Sequence, residues 1–145
     1  MFFIRLKNFT VTVLALALSF FVLFVIQGLQ ISRFSWIEGE RSFYLKSPSS
    51  QAVIKKQLSL WECFEIKGES VRFLCEDREK TLSEILQSYD AEILFGESAD
   101  GSISYYCITP QWLDGVHING KFVNLHIAFN GEYCVVGAPI IFGGF

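Results

Sequence analysis

Phe9 to Leu29 reads FTVTVLALALSFFVLFVIQGL and carries no charged side chain. As a helix it would be about 31 Å long, at roughly 1.5 Å per residue. A hydrocarbon core is about 30 Å thick, so the segment is expected to be a transmembrane signal anchor. Arg5 and Lys7 precede it, and the positive-inside rule then puts residues 1–8 in the cytoplasm. Residues 30–41 would be a juxtamembrane linker and 42–145 an extracytoplasmic domain. A cleaved signal peptide is the alternative, but its apolar region is shorter, about 7–15 residues, with a small-x-small exit. Gln27-Gly28-Leu29-Gln30 offers no such exit.

About 105 residues remain for one domain, within the ordinary single-domain range. All 15 acidic residues lie after Arg33, against 10 of the 12 Lys and Arg, leaving that part near −5. Nucleic-acid binding normally needs a basic face to neutralise phosphates, so no nucleic-acid partner is expected.

Short β-rich runs punctuated by turn signals fill the rest. Ser42–Lys46 is a strand candidate, broken by Ser47-Pro48-Ser49-Ser50. Ala52–Trp61 is a weaker strand, Ile66–Glu69 a turn, and Ser70–Cys75 a strand by its alternation. Leu82, Ile85, Leu86 and Tyr89 recur at helical spacing and predict an amphipathic helix. Thr81-x-x-Glu84 fits a capping box, with Asp77 as an alternative start. Glu92–Phe95 and Ile103–Thr109 are strands, and Asp100-Gly101 between them is a hairpin signal.

Asn119-Gly120 and Asn130-Gly131 are two further hairpin signals, flanking Lys121–Phe129. In that run Val123, Leu125, Ile127 and Phe129 alternate with Phe122, Asn124, His126 and Ala128. One core face and one wetter face are expected. Two-residue turns would set Ile118 opposite Lys121, Val116 opposite Val123, Cys134 opposite Ile127, and Val136 opposite Leu125. The fold class is therefore α+β: an N-terminal transmembrane helix, then a small antiparallel sheet packed on one helix. The apolar tail Ile140-Ile141-Phe142 is expected against the sheet edge, with a docking peptide as the sharper alternative.

Chemistry is sparse. No G-x-S-x-G, H-E-x-x-H or S-x-x-K occurs, so no catalytic residue and no cofactor is assigned. His117 and His126 would share a face, but about 13 Å separates their rows at roughly 3.3 Å per residue, too far for one metal. A Cys107–His126 pair would need a partly exposed, low-pKa thiol. Cys63, Cys75, Cys107 and Cys134 are an even set that permits two disulfides outside the cytoplasm, in three pairings. Phe122, Asn124, His126 and Tyr133 form a mixed aromatic and polar face, which could bind a partner or be covered by another segment.

The C-terminal part resembles the YwmB-type family of bacterial envelope proteins. The resemblance rests on Tyr105-Tyr106, Pro110, Gly120, the run Val123-Asn124-Leu125-His126-Ile127-Ala128, and Val136-Gly137-Ala138-Pro139-Ile140-Ile141. It covers roughly the last 45 residues, and its motifs are structural rather than catalytic. It implies an anchored or exported protein of spore-forming bacteria with a TATA-box-binding-protein-like fold, and carries no active-site residue. The function expected is a membrane-anchored, extracytoplasmic binding or scaffolding module with an envelope protein as partner. A cell-wall hydrolase using turn carboxylates (Asp90, Glu92, Glu97, Asp100, Asp114) and a pseudopilin-like subunit are the alternatives.

Overall fold

Asp100 and Gly101 both take left-handed backbone, φ 50 and 80. That turn folds β4 (Glu92–Ala99) onto β5 (Ser102–Ile108) with Ala99 opposite Ser102. A two-residue hairpin with both central residues at positive φ matches the right-handed twist of its strands. The computed structural model describes residues 2–29, 32–46, 53–59 and 61–143, and only the backbone of 2–8 and 26–29. It divides into two compact units, 1–32 and 33–145.

The first unit is helix α1 (Phe2–Leu29). The expected transmembrane anchor is corrected here: among the described residues, no helix is long and apolar enough to cross a membrane. The single-pass localisation, with a cytoplasmic N-terminus and an extracytoplasmic domain, is withdrawn with it.

The second unit is mostly antiparallel sheet. Its strands are β1 (Glu40–Leu45), β2 (Val53–Lys55), β3 (Ile66–Leu74), β4, β5, β8 (Leu125–Asn130) and β9 (Tyr133–Ala138), ordered β2-β1-β3-β9-β8-β5-β4. A separate ribbon pairs β6 (Val116–Ile118) with β7 (Lys121–Val123). So the expected fold class gives way to a seven-stranded sheet, a two-stranded ribbon and two helices, α1 and α2.

Helix α2 (Arg78–Tyr89) starts at Asp77, whose side chain accepts from the Lys80 backbone N–H at 3.0 Å. Thr81 lies inside the helix rather than capping it. The helix ends at Asp90, with left-handed φ 50. Its apolar stripe presses Ile85 and Tyr89 onto the sheet, with Leu82 and Leu86 partly buried beside them. The sheet's inner face supplies Val71, Leu125, Ile127, Phe129, Cys134 and Val136. Phe34 and Ile37, ahead of β1, complete this core.

Several local expectations are revised. Among the described residues the strand foreseen over 52–61 is confined to β2; Ala52 and Leu60 lie outside them. Ile66–Glu69 is not a turn but the start of β3. Gly68 reads as punctuation, yet it serves a close approach: a Cβ there would stand 2.8 Å from the Ala138 carbonyl oxygen. The break at 47–50 falls outside the described residues.

The Asn119-Gly120 turn holds the expected pairs, Ile118 with Lys121 and Val116 with Val123. The next hairpin does not. Its central residues are Gly131-Glu132, so Asn130 pairs with Tyr133, Phe129 with Cys134 and Ile127 with Val136. Only Gly131 has positive φ, 59, which suits the turn type that wants glycine first. The shift is two residues, so every side chain keeps its face. Cys134 still points into the core.

The wetter face expected of Lys121–Phe129 is also corrected. The strand breaks at Asn124, and Asn124, His126 and Ala128 are all buried. The C-terminal segment covers them in part. It crosses the face rather than docking on an edge: a Cβ at Gly137 would meet the Ile141 side chain at 2.8 Å. The Phe142 ring lies 4.8 Å from that of Tyr44.

Candidate functional site: the outer face of the sheet

The outer face is the one turned away from α2, and the strand register builds it. Phe95 sits opposite Tyr106, Tyr106 opposite His126, His126 opposite Gly137, and Gly137 opposite Ser70. These five residues therefore form one row across β4, β5, β8, β9 and β3. Phe95 and Tyr106 stack with centroids 4.6 Å apart, and Tyr106 and His126 at 4.4 Å, each pair 18° from parallel. Offset aromatic stacking of this kind adds about 0.5–1.5 kcal/mol per pair beyond burial.

Burial drives the His126 pKa down to about 4. The ring is neutral at pH 7, and its Nδ1 accepts from the Ile141 backbone N–H at 3.2 Å. Burial first, then the Glu97 carboxylate, pushes the Tyr106 phenol up. The Tyr106 hydroxyl points to Glu97 Oε2 across a long 3.4 Å.

Two hollows lie on this face beside the row, one next to Tyr106 and one next to Ser70. One is bounded by β4 and β5, with Glu97, Asp100, Ser102, Ser104 and Tyr106 on its walls. The other lies between β1, β3, β9 and the C-terminal segment, with Ser42, Ser70 and Arg72 facing Ile54, Ile141 and Phe142. Gly137 lets the C-terminal segment lie flat here, since any side chain would lift it.

The four residues proposed from sequence as one face are dispersed. His126 is buried in the stacked row. Tyr133 is on the outer face too, under the Arg72 guanidinium at 4.0 Å. Phe122 belongs to the separate ribbon, edge-on to His117 at 5.4 Å. Asn124 is buried and structural: it accepts from the Thr109 N–H at 2.7 Å and donates to the Thr109 and Trp112 carbonyls, both at 2.8 Å. Phe95, Tyr106 and Arg72 were missed, and Glu97 was foreseen only as a turn carboxylate. Their place depends on β5–β8 and β3–β9 pairing, which no local turn announces.

The four cysteines are free thiols; Cys75, Cys107 and Cys134 are buried and Cys63 half-buried. Burial raises the Cys107 thiol to about 12. Burial, then the neighbouring Cys75, raises that of Cys134. Cys107 pairs with Leu125 while His126 pairs with Tyr106, so thiol and imidazole leave the sheet on opposite faces. Among the described residues no group of three or more metal-binding side chains forms.

Of the turn carboxylates, Glu97 and Asp100 share a hollow. Asp90 caps α2. Asp114 meets Arg33 at 2.7 Å. Burial lifts the Asp114 carboxyl, but the hydrogen bond and charge of Arg33 outweigh it and hold the pKa low.

No protein-family model, no curated protein and no solved structure matches this chain.

Proposed function

We propose that this chain is a non-catalytic binding or scaffolding module that works through the outer face of its sheet. The observation that carries the reading is the stacked row Phe95–Tyr106–His126, set beside two open hollows of mixed polar and apolar lining. Recognition sites combine such apolar walls with a few placed polar groups. The resemblance of the last 45 residues to YwmB-type proteins supports an envelope component as the partner.

The hydrolase alternative needs a nucleophile or a working pair of carboxylates. Of the turn carboxylates, Asp90 ends α2, Asp114 is tied to Arg33, and Glu97 accepts from the Tyr106 hydroxyl. The pseudopilin alternative needs one helix running into the domain. Instead the second unit opens on a turn at residues 33–36.

Co-sedimentation of the full chain with isolated cell-envelope material tests the reading. Wild type is expected to sediment, Glu97→Arg and Ser102→Arg to stay in solution, and no soluble fragments to be released. Release of glycan or peptide fragments would make the protein an enzyme. Sedimentation unchanged in both variants would remove this face from the interaction.

A further inference from the structure

The hollow beside the C-terminal segment has a chemistry of its own. Arg72 and Glu40 are cross-strand partners on the outer face. Glu40 is held by the Lys56 ammonium at the rim, whereas Arg72 makes no salt bridge among the described residues. The Arg72 guanidinium lies over the Tyr133 ring at 4.0 Å. That contact holds the cation at the ring face, and a guanidinium so placed still has N–H donors for a planar acceptor. The side chains of Ser42 and Ser70 share the hollow, and Tyr44 Oη lies 2.7 Å from Ser70 Oγ. Ile54, Ile141 and Phe142 form the apolar wall opposite.

We propose that this hollow binds a short-chain carboxylate, its carboxyl group on Arg72 and its alkyl tail along Ile54, Ile141 and Phe142. The charge count selects a monoanion. Glu40, Lys56 and Arg72 together sum to one positive charge. A phosphate dianion would leave one charge unmatched and stand near the Glu40 carboxylate. The fork of a guanidinium matches a carboxylate in two parallel hydrogen bonds. The volume, about 240 Å³, is below the range of roughly 300–1,000 Å³ that holds drug-sized ligands, so the tail is short. The inference rests on the reading that this sheet face binds.

The test is an NMR titration of the full chain with hexanoate, hexan-1-ol and inorganic phosphate, following the amides of Val135 and Ile141. Hexanoate is expected to give saturable shifts, and hexan-1-ol to bind about tenfold more weakly or worse, as loss of a charged hydrogen-bond pair requires. Arg72→Met should weaken hexanoate by about the same factor and leave hexan-1-ol unchanged. Arg72→Lys should fall between, because it keeps the charge and loses the fork. Arg72 is exposed, so these variants keep the fold. Equal binding of hexanoate and hexan-1-ol overturns the proposal. So does unchanged affinity in Arg72→Met, stronger binding of phosphate, or the absence of saturable shifts. If hexanoate fails while envelope sedimentation still depends on Glu97, only this pocket is lost. If both fail, the reading of the whole face is lost.

Discussion

The Ile141 backbone N–H donates to His126 Nδ1 at 3.2 Å, which ties the C-terminal segment to the middle of the sheet. The bond exists only while that nitrogen is unprotonated. The unfolded chain takes up a proton on His126 near pH 6.5, the folded one only near 4. Stability is therefore complete above about 6.5 and falls as the pH drops toward 4, by about 3 kcal/mol in all. The carboxylates of Glu62, Glu40 and Asp114, all held low, add to the slope only from about 4.5 downward. Urea denaturation at several pH values should show this slope, and His126→Gln should flatten it.

Asn124→Ala removes the acceptor for Thr109 N–H and the donors to two carbonyls at once. Each buried group left unsatisfied costs about 1–3 kcal/mol, so a loss of at least ~3 kcal/mol is expected. Asn124→Asp keeps the acceptor but turns a carboxylate on the two carbonyls, and should be no better. Equilibrium denaturation measures both.

Gly137→Ala places a methyl group 2.8 Å from the Ile141 side chain and 2.9 Å from its backbone nitrogen. The C-terminal segment must lift. Overpacking of this sort costs roughly 1–3 kcal/mol. The Ile141 amide should also lose its protection from hydrogen exchange, while amides in α2 keep theirs.

Asp77→Ala should cost about 1 kcal/mol, the worth of a helix N-cap. Thr81 lies within the helix, so its hydroxyl caps nothing; it accepts from Cys75 Sγ at 3.1 Å. A thermal melt of each single variant separates a start at 77 from a start at 81.

Alkylation of the native protein with iodoacetamide should label Cys63 first. Cys107 and Cys134 are fully buried, with thiols pushed well above neutral. They should react only after unfolding, and mass spectrometry of peptides would show the order.

What could be seen in advance was local. The helical stripe of α2 and the two-residue turns at Asp100-Gly101 and Asn119-Gly120 depend on neighbours in sequence, and all three stand. The third turn moved by one residue, and its register by two, because Gly131, not Asn130, takes the positive φ at its first central position. The outer face was illegible for a different reason. Alternation in Lys121–Phe129 shows two faces but not what covers each, and burial of Asn124 and His126 is settled by distant segments at 109–112 and 139–142. Likewise Arg72 and Tyr133 meet only because β3 pairs with β9. The apolar run at 9–29 reads as a span by its length and lack of charge, yet among the described residues no helix is long and apolar enough to cross a membrane.

Phe34 is wholly buried, edge-on to both Tyr89 and Trp112 at 5.8 Å. The Tyr89 hydroxyl in turn donates to the Arg33 carbonyl at 3.0 Å. Residues 33–37 are thus a plug for the interior, not a leash. A fragment trimmed to begin at the first strand would open a ring-sized hole beneath α2. The shortest piece able to stand alone starts no later than Arg33.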